Sequence, residues 1–269
     1  MINSGNTKPQ LISRNASYFL RGIAMLMVLL SHYFEWGVPI IGESSFQHFL
    51  ASLGDPGVGL FFLLSGYALT KSYGSKCTDK RYIFSRLKGV YIPYLILAGV
   101  VKLLNKGFTS PKEFVTYITG YDYWFMFVIF IIYIAYYILG KLPKWRITMM
   151  TLFIIDMSLL LYFKGYNVFW YDANWCFALG MIIANYDENW GIVRRGFSIN
   201  FKDIVFVKLG QWSLYLYLIQ TFVYYRLMSI PFLAGLNWYL SIVIIFAITC
   251  VIAGAFALVY GSLTKKRSV

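Results

Sequence analysis

The sequence predicts an all-helical, polytopic membrane bundle of about eight spanning helices, and three observations carry that prediction. The chain of 269 residues is 59% hydrophobic and only 13% charged, against roughly 25% charged in ordinary soluble domains. Its mean hydropathy is +0.63, and apolar runs of membrane-spanning length recur along the whole chain. Its basic residues also fall in alternate connections, which is how charge records the orientation of membrane helices.

The expected spans occupy residues 18–34, 58–70, 90–104, 123–139, 147–163, 168–184, 204–224 and 238–260. The second starts earlier, near Phe46, if Asp55-Pro56-Gly57 is read as a break inside it. The first lacks a small-residue cleavage site and is followed by others, so it is expected to be a retained helix. With the N-terminus in the cytoplasm, all but five of the 24 basic residues fall in inside segments; Lys102, Lys106, Lys112, Lys164 and Arg226 fall outside. An even number of spans then leaves both termini cytoplasmic. The formal net charge of +13 is thus mainly a topology signal, and no nucleic-acid partner is expected.

Residues 1–16 read as a cytoplasmic tail, 17–264 as a single integral-membrane domain, and 265–269 as a basic cytoplasmic tail. The chain is expected in the plasma membrane, with the lipid bilayer as its first partner. Cys77, Cys176 and Cys250 are odd in number and irregularly spaced, so neither a disulfide framework nor a metal site is expected. Tyr and Trp near helix ends, Trp124 among them, fit interfacial anchors, and their faces also suit sugars.

The first span holds the chemistry. RGIAMLMVLLSH runs from Arg21 to His32 with no charged residue between. Eleven positions make three turns plus about 20°, so both side chains leave one face, about 16 Å apart along the axis. Ionisable groups inside a membrane usually face the bundle interior or a watery cavity. A guanidinium can hold phosphate or carboxylate bidentately, and an imidazole can take a proton from a hydroxyl near neutral pH. Arg21 also fits an interfacial anchor, and His32 a core histidine bonded to a backbone carbonyl. Glu35, three positions on, lies within reach to orient the imidazole. Asp156, in the middle of TLFIIDMSLLLYF, is expected to face the bundle interior.

Several stretches together resemble the membrane-bound acyltransferase 3 family. RGIAMLMVLLSHYF is similar to its opening helix, GVGLFFLLSGYAL to its Ser-Gly-Tyr segment, and RYIFSRLKGVYIPY to its basic segment ending in Pro-x-Tyr or Pro-Tyr. Tyr123-Trp124-Phe125 resembles its Trp-Phe helix start, ALGMIIAN its Leu-Gly-Met signature, and LGQWSLYLYLIQ its Gly-x-x-Ser-x-x-x-Tyr-Leu-x-His stretch. The resemblance covers roughly residues 15 to 260.

It implies O-acyl transfer, most often of acetyl from acetyl-CoA, to a hydroxyl of a cell-surface or exported carbohydrate. Acyl-CoA enters as donor substrate, and no bound cofactor is expected. His32 and Arg21 become the catalytic pair, with His32 as general base. Arg86 is the best donor contact, with Lys88 supplying further charge. Ser65, Tyr67 or Tyr94 supplies a hydrogen bond to the reacting carbonyl, and Trp124 joins the substrate-binding set. The chain departs from the family in its short length, in Gly89 where the family has a second arginine, and in Gln220 where many members carry histidine. A glycan transporter or flippase, or a catalytically inactive accessory subunit, stands as the alternative.

Overall fold

The computed structural model describes residues 10–35, 45–73, 80–142, 144–187 and 203–264. Most of both predicted tails, residues 1–9 and 265–269, lies outside the described residues, as does Cys77. The elements in order are α1 (Arg14–Glu35), α2 (Ser45–Ala51), α3 (Gly54–Tyr73), α4 (Lys80–Arg86), a π-helical turn (Leu87–Tyr91), α5 (Ile92–Asn105), α6 (Pro111–Thr119), α7 (Trp124–Leu139), α8 (Arg146–Phe163), a 3-10 turn (Val168–Trp170), α9 (Trp175–Tyr186), α10 (Ile204–Met228), α11 (Pro231–Ala234) and α12 (Trp238–Thr264).

Seven of the eight predicted spans fall on helical segments. The count of eight is not reproduced by length and hydropathy. Five helical segments among the described residues are long and apolar enough to cross a membrane: Arg14–Glu35, Ser45–Tyr73, Lys80–Asn105, Arg146–Phe163 and Trp238–Thr264. A sixth arises if α6 and α7, bent by 60°, form one broken span. The expected span at 168–184 divides into the 3-10 turn and a helix of only 12 residues. The second span does begin at Ser45, and its break falls at Ser52 and Leu53, just before Asp55.

Local chemistry explains the breaks. Ser110 caps α6 by accepting the Glu113 N–H at 3.3 Å, and Glu113 accepts from the Thr109 N–H in return at 3.3 Å, one residue short of a capping box. Gly120 ends α6 with φ 84°, a left-handed conformation that only glycine adopts at little cost. The chain then turns so that α7 begins at the edge of a cavity. The π-helical turn sits just before Pro93; proline has no N–H to complete the regular ladder, and such local widening is frequent at functional sites.

Four glycines set the helix crossings. A Cβ on Gly210 of α10 would stand 1.7 Å from the Tyr18 carbonyl oxygen of α1, and one on Gly22 would stand 2.3 Å from the Phe206 carbonyl oxygen. A Cβ on Gly66 of α3 would stand 2.1 Å from the Phe177 carbonyl oxygen of α9, and one on Gly180 would stand 2.0 Å from that of Leu63. Small residues let membrane helices pack backbone to backbone. Gly66, Gly180 and Gly210 all come from the motif stretches, so these motif positions hold the bundle together.

α1 therefore lies between α10 and α3, with α9 behind α3. Phe62, Tyr94, Met126, Tyr136 and Phe177 fill the centre. The outward faces stay apolar: Val251 and Leu258 of α12 are 71% and 75% exposed, as suits contact with lipid. Asp156 departs from expectation. It is exposed on the outer face of α8, beside Leu152 and Leu159, and does not enter the bundle interior.

Candidate active site

Among the described residues, the predicted pair divides between two neighbouring cavities. His32 lines the larger, of about 910 Å³, together with Glu35, Asp55, Trp124, Tyr217 and Gln220. Arg21 lines the smaller, of about 340 Å³, together with Tyr18, Ser65, Arg86, Tyr133 and Gln211. Val28, Val58 and Tyr217 border both. The stripe on α1 that begins at Arg21 and ends at His32 thus runs from one cavity into the next.

α1 and α10 run side by side in the same sense. Tyr18 and Gly22 meet Gly210 and Phe206 near the starts of the two helices. About 15 Å further along each, the Gln220 side-chain amide nitrogen stands 3.0 Å from His32 Nδ1. Gln220 is 1% exposed. Glu35 accepts from the Ser31 hydroxyl at 3.3 Å, and Ser31 also donates to the Ala51 carbonyl at 2.6 Å. Ser31 thereby ties α1 to the end of α2.

In the smaller cavity two guanidinium groups share one space. The Arg86 guanidinium lies 5.5 Å from the Tyr133 ring centroid and 5.9 Å from that of Tyr73, and it donates to the Ser85 hydroxyl at 2.9 Å. The Nε atoms of Arg21 and Arg86 are buried with no hydrogen-bond partner. Two cations with unspent donors in a small cavity repel each other and favour an anion between them.

Further charged residues line the larger cavity. Lys102 meets Glu113 at 3.2 Å and Asp122 at 3.8 Å, and Arg226 donates to the Leu104 carbonyl at 2.9 Å. Tyr123, Trp124, Phe169 and Tyr217 line the wall, a mixture of apolar faces and polar edges that suits a polyhydroxylated molecule.

The family comparison decides what this arrangement belongs to. A family model described as an acyltransferase domain matches residues 16–201. This chain is a member of the acyltransferase 3 family. No curated protein and no solved structure matches it. The matched residues carry Arg21, His32, Ser65, Arg86 and Trp124. α10 lies beyond them, so Gln220 and Tyr217 reach the two cavities through the packing of α10 on α1.

The other predicted binding residues stand elsewhere in the acyltransferase. Tyr67 donates to Asp187 at 2.7 Å and accepts from the Ile12 N–H at 3.1 Å; Asp187 also pairs with Lys71. This buried cluster ties α3 to the end of α9 and to the segment before α1. Tyr94 is fully buried and donates to the Tyr117 carbonyl. Lys88 is exposed and donates to the Thr264 carbonyl at 2.5 Å. None of the three lines either cavity. Of the three hydroxyls considered for the reacting carbonyl, Ser65 alone lines one. Tyr217 was missed, although it is the second of two tyrosines in the LGQWSLYLYLIQ stretch, four positions after Ser213. Two of the cysteines, Cys176 and Cys250, are free.

Proposed function

We propose that this acyltransferase moves an acyl group, acetyl in the first instance, from acyl-CoA to a hydroxyl of a cell-surface or exported carbohydrate. The observation that carries the reading is the pair of cavities meeting at Val28, Val58 and Tyr217, one holding His32 and the other two arginines. In this reading the protein lies in the plasma membrane with both termini cytoplasmic. The arginine cavity opens toward the cytosolic donor and the His32 cavity toward the acceptor.

Arg21 and Arg86 hold anionic oxygens of the donor, and the thioester arm extends past Tyr217. The acceptor hydroxyl enters beside Trp124. His32 takes the hydroxyl proton as the oxygen attacks the thioester carbonyl. The carbonyl oxygen gains negative charge and accepts a hydrogen bond from Tyr217 or Ser65. The intermediate collapses with cleavage of the C–S bond, and CoA leaves as a thiolate that takes up a proton. The product is an O-acyl ester.

Membranes containing the protein, incubated with labelled acetyl-CoA and surface glycan, test the reading. Label transfer is expected, and His32→Ala is expected to abolish it while the variant still inserts. Full activity in His32→Ala overturns the role of His32. Donor binding without turnover assigns an accessory subunit instead, and glycan movement without acylation assigns a transporter.

A further inference from the structure

Nδ1 of His32 faces α10. It meets the neutral amide of Gln220, 3.0 Å away, while Glu35 of the same cavity accepts from Ser31. In neutral imidazole one nitrogen carries the proton and the other the lone pair, and the partner of the first sets the state of the second. For His32 to take a proton at Nε2, Nδ1 must carry hydrogen and have an acceptor. That acceptor must persist once the ring is protonated, when both nitrogens donate.

Gln220 can provide it. Its amide nitrogen is turned to Nδ1, and its Oε1 is buried with no hydrogen-bond partner. A half-turn about the last side-chain bond exchanges the two ends. Oε1 then accepts from Nδ1–H, and the amide N–H groups give up Nδ1 in exchange. One end of the buried Gln220 amide pairs with the ring in either orientation, and the tautomer of His32 decides which end that is. Gln220 is held in register by the close contact of α10 with α1 at Gly210 and Gly22.

We propose that Gln220 is the positioning residue of His32, whose Oε1 accepts from Nδ1–H and so presents Nε2 as the nitrogen that takes the acceptor proton. The proposal rests on His32 being the base of acyl transfer, but the pairing has a readout of its own. The chain has two histidines, so His48→Gln leaves His32 as the single imidazole. Nitrogen-15 NMR of the labelled ring, in the full-length protein at about pH 8 where a free imidazole is neutral, reads its tautomer directly.

The expected spectrum has Nδ1 protonated and Nε2 bare. Gln220→Leu is expected to shift the ring to the Nε2–H form. Nε2–H in the parent protein, or the same tautomer in both proteins, overturns the proposal. Should Gln220→Leu fail to fold, the parent spectrum alone decides. In acyl transfer, Gln220→Leu is expected to lower kcat by about 10–100-fold, the usual effect of removing an orienting partner, with donor KM unchanged. Gln220→Glu, which keeps an oxygen at the same reach, is expected to retain most of kcat. A rise in donor KM with kcat intact would make Gln220 a packing residue only. Absence of any acyl transfer would sink the functional reading and leave the tautomer result standing.

Discussion

The Tyr67 hydroxyl donates to Asp187 Oδ2 at 2.7 Å, joining α3 to the end of α9 across 120 positions of chain. The same carboxylate pairs with Lys71 and accepts from the Leu11 N–H at 3.4 Å. Tyr67 is thereby a structural residue. Tyr67→Phe is expected to lower stability by about 1.5–3 kcal/mol, the cost of a lost buried hydrogen bond to a charged group. Donor KM should stay unchanged. Detergent-solubilised thermal unfolding alongside donor titration checks both.

Removing Asp187 takes away the carboxylate that Lys71, Tyr67 and the Leu11 N–H share. Asp187→Ala is expected to destabilise by about 3–5 kcal/mol, as broken buried ion pairs do. Changing Lys71→Met together with Asp187→Leu is expected to recover much of that loss, because no uncompensated charge remains. Equal unfolding midpoints for Asp187→Ala and the parent protein would contradict the clamp.

Gly210→Ala forces a Cβ into the Tyr18 carbonyl, where only 1.7 Å is available. α1 and α10 must move apart, taking His32 away from Gln220, so the variant is expected to lose folding stability and acyl transfer together. Gly261→Ala is the control. A Cβ there meets nothing within 4 Å, and alanine favours the helix by about 0.5–1 kcal/mol. Size-exclusion profiles and activity of the two variants give the comparison.

Arg21→Lys keeps the charge but loses the planar fork. If Arg21 and Arg86 together hold an anionic donor, Arg21→Lys raises donor KM by about tenfold and Arg21→Ala by more, from the loss of about 1.5–3 kcal/mol of charge-assisted hydrogen bonding. The carbohydrate KM should not move. Steady-state kinetics with each substrate varied in turn separates the two.

His32 and Gln220 act as one unit, so their losses should not add. His32→Ala alone and His32→Ala with Gln220→Leu are expected to be equally inactive. A further drop in the double variant would assign Gln220 a role independent of the imidazole.

Much of the architecture is legible along the chain. Long apolar runs force helices, because a backbone in hydrocarbon must satisfy its own hydrogen bonds, and seven of the eight predicted spans fall on helical segments. The motif stretches identify the family, and helical periodicity puts Arg21 and His32 on one face of α1. Span number is less legible. The segment at 168–184 is apolar enough for one helix, yet it divides at Tyr171–Asn174, where Trp170 packs against Tyr121 and Tyr166. Asp156 was expected inside because a buried charge needs a partner, but the face of α8 that packs inward is chosen by its neighbours.

Sequence alone determined the helical class, the family and the presence of a guanidinium and an imidazole on one helix. Those depend on composition, period and short-range spacing. Tertiary structure decided which polar groups belong to the site. Tyr67 stands two positions from Ser65, yet it points to Asp187 while Ser65 lines the arginine cavity. Gln220, 188 positions from His32, reaches its Nδ1. The physical reason is that backbone contact at Gly22 and Gly210 sets the register of α10 against α1, and register between distant helices leaves no mark in the spacing of either one.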